Sequence, residues 1–358
     1  MQKIDLGQTI QILANVGVIA GIVFVALMLA ASSTAAQQMR DTNFRFENTN
    51  PAFPAAAGPM VCIDEAHNNF HTADGRYWAF AELLRQDGYR VEGFGGKFDP
   101  KGLLNCSILV IANAGEVGMD DAYPHPSAFT RDDINELVKW VRGGRSLLLI
   151  IDHAPVPGAA ADLGAVLGIN MLDGHAEGPP RRLAAPDIFQ LENGTLKRHP
   201  ILAGRADSER VTRVATFGGT AFHTSVDFQP LMVFGPGSTA QIRLNFNLPD
   251  FAQSENPRFE IAGWLHGATR RLGQGRLVIL GEAAIYVHGP TVGTRSAPTG
   301  YESPRGCSKP AVLRECSALA ERTARRLIYS RQAPPAYCRL VKRPSSLAIS
   351  TSALSVSV

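Results

Sequence analysis

The stretch PMVCIDEAHNNFHTADGRYWAFAELLRQDGYRVEGF, residues 59–94, contains the patterns of a strand, a helix and a second strand in that order. The short apolar run PMVCI is typical of a buried strand. In YWAFAELLRQDG, the side chains of Phe80, Leu83 and Leu84 fall on one face of a helix, and Gly88 is a good residue to end it. YRVEGF then favours a second buried strand. This stretch therefore predicts a β-α-β unit, which is the building block of a parallel sheet.

The same alternation continues along the chain. CSILVIANA (106–114), RSLLLIIDH (145–153) and GRLVILGEAA (275–284) predict three more buried strands. Between them, TRDDINELVKWVRGG and PGAAADLGAVLG predict helices, the first with Thr130 as its N-cap. Residues 170–257 are less regular and predict an insertion or edge strands. The pattern as a whole predicts an α/β fold with a mostly parallel sheet covered by helices on both faces.

Polar side chains follow three of the predicted strands at the point where each strand ends. Because the carboxyl ends of parallel strands meet at one edge of a sheet, we expect these side chains to line one cleft. Such a cleft would suit a polar small molecule or a glycan. The candidate binding residues are Asp64, Glu65, His67, Asn68, Asn69 and His71 after the first strand, Asp152 and His153 after the central strand, and Glu282 after the last.

Two other interpretations of these residues remain open. His67 and His71 are four residues apart, so one helical turn would point both imidazoles at a divalent metal, with Asp152 or Glu282 as a third ligand. Alternatively, the carboxylates after the first strand bind backbone amides and cap the next helix. Asp152 and His153 are adjacent in an extended segment, so their side chains should point in opposite directions. The isolated His223 and His266 lie in apolar stretches and predict structural roles.

The N-terminal region differs from the rest. Residues 1–36 predict a signal peptide or a membrane anchor, because about twenty apolar residues precede small residues at Ser33 and Ala35. If this helix is not cleaved, residues 10–31 would cross the membrane. Residues 37–57 predict a linker. The remainder of the chain is then expected outside the cytoplasm, in the periplasm or anchored to the inner membrane.

The composition excludes some classes of protein. A net charge of +3, from 35 basic and 32 acidic residues, does not indicate a nucleic-acid partner. The five cysteines form no CxxC pair, which argues against a zinc knuckle. We expect Cys62 and Cys106, which lie in or beside apolar strands, to be small buried hydrophobic residues.

Three segments together, residues 58–91, 140–164 and 275–284, resemble a family of bacterial extracytoplasmic proteins whose domain is similar to the class I glutamine amidotransferases. The resemblance covers about residues 58–290 and implies a three-layer, flavodoxin-like sandwich. Amidotransferases of this class use a cysteine at a strand-to-helix elbow and a histidine after a later strand. Here the matching positions hold Asp152-His153 and Glu282. Without a thiolate no acyl-enzyme can form, so glutaminase activity is not expected.

Two function hypotheses follow. In the first, the domain is an extracytoplasmic module that binds a glycan or another polar small molecule in the predicted cleft. In the second, it is a hydrolase that depends on carboxylates or a metal, with Glu65, His153 or Glu282 as the candidate catalytic residues. No cofactor other than a divalent metal is indicated.

Residues 291–358 change to a sequence rich in Arg, Ser, Pro and Cys with little periodicity, which predicts a disordered extension. Permitted codons for residues 301–322, read one base later, can encode an amphipathic helix like the one that closes the domain in the resembled family. We therefore hypothesise a one-base frameshift between about residues 286 and 300, to be tested on the nucleotide sequence.

Overall fold

A computed structural model describes residue 40 and residues 48–117, 123–179, 186–242 and 256–286. The predicted N-terminal helix, most of the linker and the tail after residue 290 lie outside these ranges. Within them, no helix combines the length and the apolar character needed to span a membrane.

Fourteen strands and five α-helices make up the described part of the chain. The helices are α1 (Trp78–Gln86), α2 (Arg131–Arg142), α3 (Val156–Ala159), α4 (Ala161–Leu167) and α5 (Pro200–Ala203). The strands are β1 (Met60–Asp64), β2 (Arg90–Phe94), β3 (Ile108–Ala112), β4 (Ser146–Ile150), β5 (Ile169–Met171), β6 (His175–Glu177), β7 (Asp187–Gln190), β8 (Arg213–Thr216), β9 (Phe222–Thr224), β10 (Gln229–Val233), β11 (Thr239–Gln241), β12 (Arg258–Glu260), β13 (Leu265–Leu272) and β14 (Gly275–Leu280).

The central sheet has nine strands in the order β2-β1-β3-β4-β14-β13-β9-β5, with β10 paired to β13. The first five of these strands are parallel to one another. Their order is the 2-1-3-4-5 arrangement of flavodoxin-like folds, in which a crossover helix can follow each strand. The four others are antiparallel additions. The fold class is therefore the predicted α/β sandwich.

The two faces of the sheet bury different helices. On one face, Phe80 and Leu84 of α1 share a core cluster with Val61 and Ile63 of β1. On the other face, α2 and α4 pack over the alternate residues of the same strands, as the clustering of Leu137 with the β4 side chains shows. Every residue of β3 and β4 is buried, which explains their continuous apolar sequences. The result is three layers.

Helix α2 begins where the sequence predicts. The Thr130 side chain accepts a hydrogen bond from the backbone N–H of Asp133 at 3.2 Å, and the Asp133 carboxylate accepts one from the Thr130 N–H at 3.0 Å. This reciprocal capping is worth about 1 kcal/mol. The helix predicted over residues 157–168 is instead interrupted at Ala160, giving α3 and α4, and Gly168 ends the second of these in a left-handed conformation. Pro155 and Pro157 restrict the start of that segment.

The described part of residues 170–257 consists mainly of short strands, with one short α-helix, α5. β6, β11 and β12 form a three-stranded sheet, and β7 pairs with β8 in a separate hairpin. β9 and β10 extend the central sheet beyond β13. These elements cover the carboxyl end of β14 and complete the surroundings of the candidate site.

Cys62 and Cys106 require a correction. Both are buried, as predicted, but they are joined in a disulfide with a Cα–Cα separation of 5.7 Å. Cys62 lies in β1 and Cys106 precedes the neighbouring β3, so their proximity depends on strand order and register. Neither property could be read from two isolated cysteines 44 residues apart.

Candidate functional site

The structure brings the carboxyl ends of β1, β3, β4 and β14 to one edge of the sheet, because these neighbouring strands are parallel. We call this the polar edge. Its strand-terminal polar residues are Asp64, Asn113, Asp152 and Glu282. All four are buried, with exposures of 8% or less. Buried polar groups need hydrogen-bond partners, and these partners differ along the edge.

At the β1 end, the Asp64 carboxylate lies within a local network. It accepts a hydrogen bond from Asn69 Nδ2 at 3.0 Å and lies 2.9 Å from His67 Nδ1. The His67 ring packs between Phe98 and Phe129, with centroid distances of 4.4 and 4.8 Å. These contacts hold the loop after β1 in place. They support the interpretation in which this carboxylate has a structural role.

Glu65 and Asn68 also shape this loop. Glu65 Oε1 accepts a hydrogen bond from the backbone N–H of Ala73 at 2.8 Å, and its carboxylate lies against Gly93, where a Cβ would approach it to 2.6 Å. Asn68 is exposed and has a left-handed backbone with φ of 47°. Asparagine tolerates this conformation better than most residues.

The helical turn expected to align His67 and His71 is therefore absent from this loop. His67 contacts Asp64, whereas His71 is fully buried and packs against Tyr77 with ring centroids 4.6 Å apart. The two imidazoles therefore have different surroundings, and their pairing at a metal stays a prediction. Within the described ranges, one group of three potential metal ligands lies close enough together, Cys62, Glu92 and Cys106, and its two sulfur atoms are in the disulfide.

At the other end of the edge, Asp152 lies at the centre of a group of titratable side chains. Its backbone N–H donates to Asn113 Oδ1 at 3.0 Å, and Asn113 adopts a left-handed conformation to accept it. The Asp152 charge affects the pKa values of residues from four different segments. These residues are His71, Tyr77, His175, His266 and Glu282.

Glu282 is the acidic neighbour of Asp152. Its two carboxylate oxygens accept hydrogen bonds from the backbone N–H groups of Phe217 at 2.9 Å and Ala284 at 2.7 Å. Burial, together with the charge of Asp152, raises the pKa of Glu282 well above its usual value, although the two backbone donors oppose this shift. This carboxyl group can therefore hold a proton under conditions in which an exposed glutamate is ionised.

Two buried histidines that interact with the Asp152 charge are held in their neutral form. Burial lowers the pKa of His71 to about 3. Burial also lowers the pKa of His266 to about 4, although Asp152 raises it. His266 Nδ1 donates to the carbonyl of Thr220 at 2.8 Å, and its ring stacks on Phe189 at 5.1 Å. Both imidazoles are thus neutral at physiological pH.

His153 and His175 form the accessible part of the site. His153 is exposed, its Nδ1 lies 2.8 Å from the carbonyl of Ala154, and its ring centroid is 5.5 Å from that of His175. Burial lowers the pKa of His175, and the neighbouring His153 lowers it further. The side chains of Asp152 and His153 separate as expected, one buried and one exposed.

His175 was not predicted as a site residue. It lies in β6, within the irregular region, and only the folding of that region over β4 brings it to His153. Nearby, His125 Nε2 lies 3.3 Å from Asp173 Oδ2, and burial raises the pKa of that carboxyl group. His223, in contrast, packs against Trp264 at 4.0 Å in the antiparallel part of the sheet.

The loop after β8 closes the site against these imidazoles. Gly218 and Gly219 both have positive φ angles, 106° and 118°. A Cβ on Gly218 would lie 2.6 Å from the His175 ring, and one on Gly219 would lie 2.0 Å from the carbonyl oxygen of Gly281. Only glycine fits both the conformation and the space.

A groove lies elsewhere, along β13 and β14. It has a volume of about 950 Å³, and Thr269, Arg271, Arg276 and Val278 are among the residues that line it. None of the predicted site residues lies there. We therefore assign the candidate site from the chemistry of the polar edge and not from cavity size.

Comparison with known proteins identifies similar folds at low sequence identity. No protein family model and no curated protein matches the sequence. Among solved structures, the N-terminal domain of mmIFT52 is similar over 76% of this chain and 99% of its own, with 12% identity and a TM-score of 0.49. A cytoplasmic protein from Salmonella typhimurium LT2 covers 75% of this chain and 99% of its own, with 14% identity and a TM-score of 0.44.

A ThuA-like protein from Bacteroides uniformis covers 66% of this chain and 84% of its own, with 11% identity and a TM-score of 0.35. Similarities at this level carry no inference about ligand or activity. The assignment of the chain to a flavodoxin-like α/β fold rests on its own strand order, β2-β1-β3-β4-β14.

Proposed function

We propose that residues 58–290 form an extracytoplasmic ligand-binding module that holds a polar small molecule or a glycan at the polar edge. One observation carries this proposal: the exposed His153 lies beside His175, and the charge of the buried Asp152 acts on both His175 and the buried Glu282. Imidazoles supply hydrogen-bond donors and acceptors, and the two carboxyl groups make the site strongly polar.

The cysteines favour binding over amidotransferase chemistry. Cys62 and Cys106 are joined to each other, so neither supplies a thiolate nucleophile within the described residues. The position after β4, where the resembled amidotransferases carry their cysteine, holds Asp152 and His153. These features agree with membership of the extracytoplasmic family that the sequence resembles and with the loss of glutaminase activity.

The disulfide also supports the proposed location. Disulfides persist in the periplasm and outside the cell, whereas cytosolic thiols are kept reduced. The pair Cys62–Cys106 is buried and fixes β1 to the segment before β3, which suits a structural bond formed after export. Residues 1–36 would deliver the domain across the inner membrane. A fusion of residues 1–45 to a reporter that is active only after export should be active.

The binding proposal can be tested by ligand screening. Purified protein would be screened by thermal shift against polar metabolites and oligosaccharides, and each positive compound titrated by calorimetry. We expect His153→Ala to weaken binding about ten-fold, since a lost hydrogen bond in a desolvated site costs roughly 1–2 kcal/mol. His223→Ala is the matched control, because His223 is also exposed but lies beside Trp264. Equal affinity in both variants would rule out the polar edge as the binding site.

A second candidate function is a carboxylate-dependent hydrolase, which the raised pKa of Glu282 favours. A carboxyl group with a raised pKa can keep a proton that it donates as a general acid. Purified protein should then cleave chromogenic esters or glycosides, and Glu282→Gln should abolish the cleavage while Glu65→Gln retains it. Activity that persists in Glu282→Gln would exclude this mechanism.

A further inference from the structure

The exposed aromatic rings of the described region are concentrated around the polar edge. Among its large hydrophobic side chains with high exposure, three are aromatic: Phe70 at 50%, Tyr123 at 64% and Phe217 at 42%. A single exposed ring on a protein surface is ordinary. Three such residues in segments that neighbour the polar edge are informative, because the one closest to its ionisable groups can support a ligand there.

The three residues are linked to the polar edge in different ways. The backbone N–H of Phe217 donates to Glu282, and the Phe70 ring meets His71 edge-on at 5.2 Å. The Tyr123 ring lies 5.7 Å from that of His125, which pairs with Asp173, two residues before His175. By contrast, the exposed Leu104 lies in the turn before β3, at the opposite end of the sheet.

Phe217 is the ring best placed to support a ligand. Its backbone N–H is fixed by Glu282, and the next two residues, Gly218 and Gly219, are held against His175 and Gly281. Its side chain nevertheless remains 42% exposed. Phe70 is less available, because the Arg76 guanidinium lies over its ring at 3.6 Å. A ring presented from a fixed loop loses little conformational entropy when a ligand binds.

The geometry points to a pyranose ring as the ligand, stacked by its C–H face on Phe217 with its hydroxyl groups directed towards His153 and His175. A pyranose carries hydroxyl groups around its rim and apolar C–H groups on its faces, so it matches an aromatic platform beside a polar group. An acyclic polar compound would form hydrogen bonds with the imidazoles but would not stack on the Phe217 ring. This inference rests on the binding function proposed above and narrows its ligand class to carbohydrates.

The test uses the full chain. Wild-type protein is applied to an array of defined oligosaccharides, and the strongest binder is titrated by calorimetry against variants. Phe217→Ala should weaken binding about ten-fold, because stacking and buried area are both lost. Phe217→Tyr, which keeps a ring, should bind within about three-fold of wild type. Leu104→Ala is the matched control for loss of an exposed hydrophobic side chain and should leave affinity unchanged.

The outcomes separate this inference from the proposed function. Oligosaccharide binding that survives Phe217→Ala but is lost in His175→Ala would overturn the stacking inference and leave ligand binding at the polar edge intact. A protein that binds acyclic polar compounds but no oligosaccharide would also overturn the stacking inference and leave ligand binding at the polar edge intact. A wild-type protein that binds neither class would overturn both. Thermal melts of the variants identify any that fail to fold, and Phe217→Leu then provides a replacement that is apolar but lacks a ring.

Discussion

The two ends of the polar edge use their carboxyl groups differently. At the β1 end, the Asp64 carboxylate binds the His67 and Asn69 side chains of its own loop. At the β4 and β14 end, Asp152 and Glu282 are drawn from strands far apart in sequence and shift the pKa values of their neighbours. A dense local run of polar residues can form its hydrogen bonds within one loop. Polar residues that come from several strands instead leave ionisable groups available to a ligand.

If the β1 end is structural, losing the bond that anchors β1 should cause the largest loss of stability. The double variant Cys62→Ala/Cys106→Ala opens a loop of 44 residues, which should lower the free energy of unfolding by about 4 kcal/mol. Urea denaturation followed by circular dichroism measures this. A reductant should reproduce the loss in wild type and have no effect on the double variant. A loss below about 1 kcal/mol would show that the bond does not stabilise the fold.

Removing the Asp64 carboxylate should have the next largest effect. Asp64→Ala removes a fully buried carboxylate that accepts hydrogen bonds from the Asn69 side chain and the Ala66 N–H, at a cost of about 3 kcal/mol. Glu65→Ala is the neighbouring control. Glu65 is exposed, and the substitution removes one hydrogen bond, which its carboxylate accepts from the Ala73 N–H. We therefore expect the free energy of unfolding to fall by about 1 kcal/mol. Equal losses in the two variants would contradict the structural role assigned to Asp64.

The sequence was sufficient to predict the fold and the shared edge of three strand-terminal carboxyl groups of the candidate site. The apolar runs of β1, β3, β4 and β14 are buried on both faces, so their composition alone identifies them, and parallel pairing aligns Asp64, Asp152 and Glu282. His175 could not be predicted, because it belongs to a three-residue strand in a region without periodicity. The disulfide depended on strand register.

The pH dependence of stability should come from the β4 and β14 end. Burial lowers the pKa values of His71 and His266 from 6.5 to about 3 and about 4, so only the unfolded chain binds these protons at intermediate pH. Stability from these two groups is therefore complete above pH 6.5. It falls as the pH drops, towards about 4 for His266 and about 3 for His71, by about 1.4 kcal/mol per pH unit for each proton.

The pKa shift of Glu282 changes stability with pH in the opposite direction to the shifts of the two histidines. Its pKa is raised above 4.5 in the folded protein, so its contribution is complete below that pH and is lost as the pH rises towards the folded-state value. We therefore expect the two histidines to lower stability on the acidic side of pH 6.5, whereas Glu282 lowers it on the alkaline side of pH 4.5. Urea denaturation from pH 3 to 9 tests this, and Glu282→Gln should flatten the alkaline side while the acidic side persists. An unchanged alkaline side would show that Glu282 is not the titrating group.

The smallest effect on stability, and the sharpest test of the comparison, should come from Asp152→Asn. The amide oxygen can still accept the hydrogen bond that Asp152 Oδ1 accepts from the His153 N–H at 2.9 Å, so the local geometry is kept. The negative charge that helps to raise the pKa of Glu282 is removed, so that pKa should fall. Stability at pH 8 should then rise by up to about 1 kcal/mol, because less free energy is lost when Glu282 ionises. Stability at pH 4, where the folded protein keeps Glu282 protonated, should change less.

Urea denaturation of wild type and Asp152→Asn at pH 4 and pH 8 measures both changes in the free energy of unfolding. A loss as large as that of Asp64→Ala would place Asp152 among the structural carboxylates and end the distinction between the two ends of the edge.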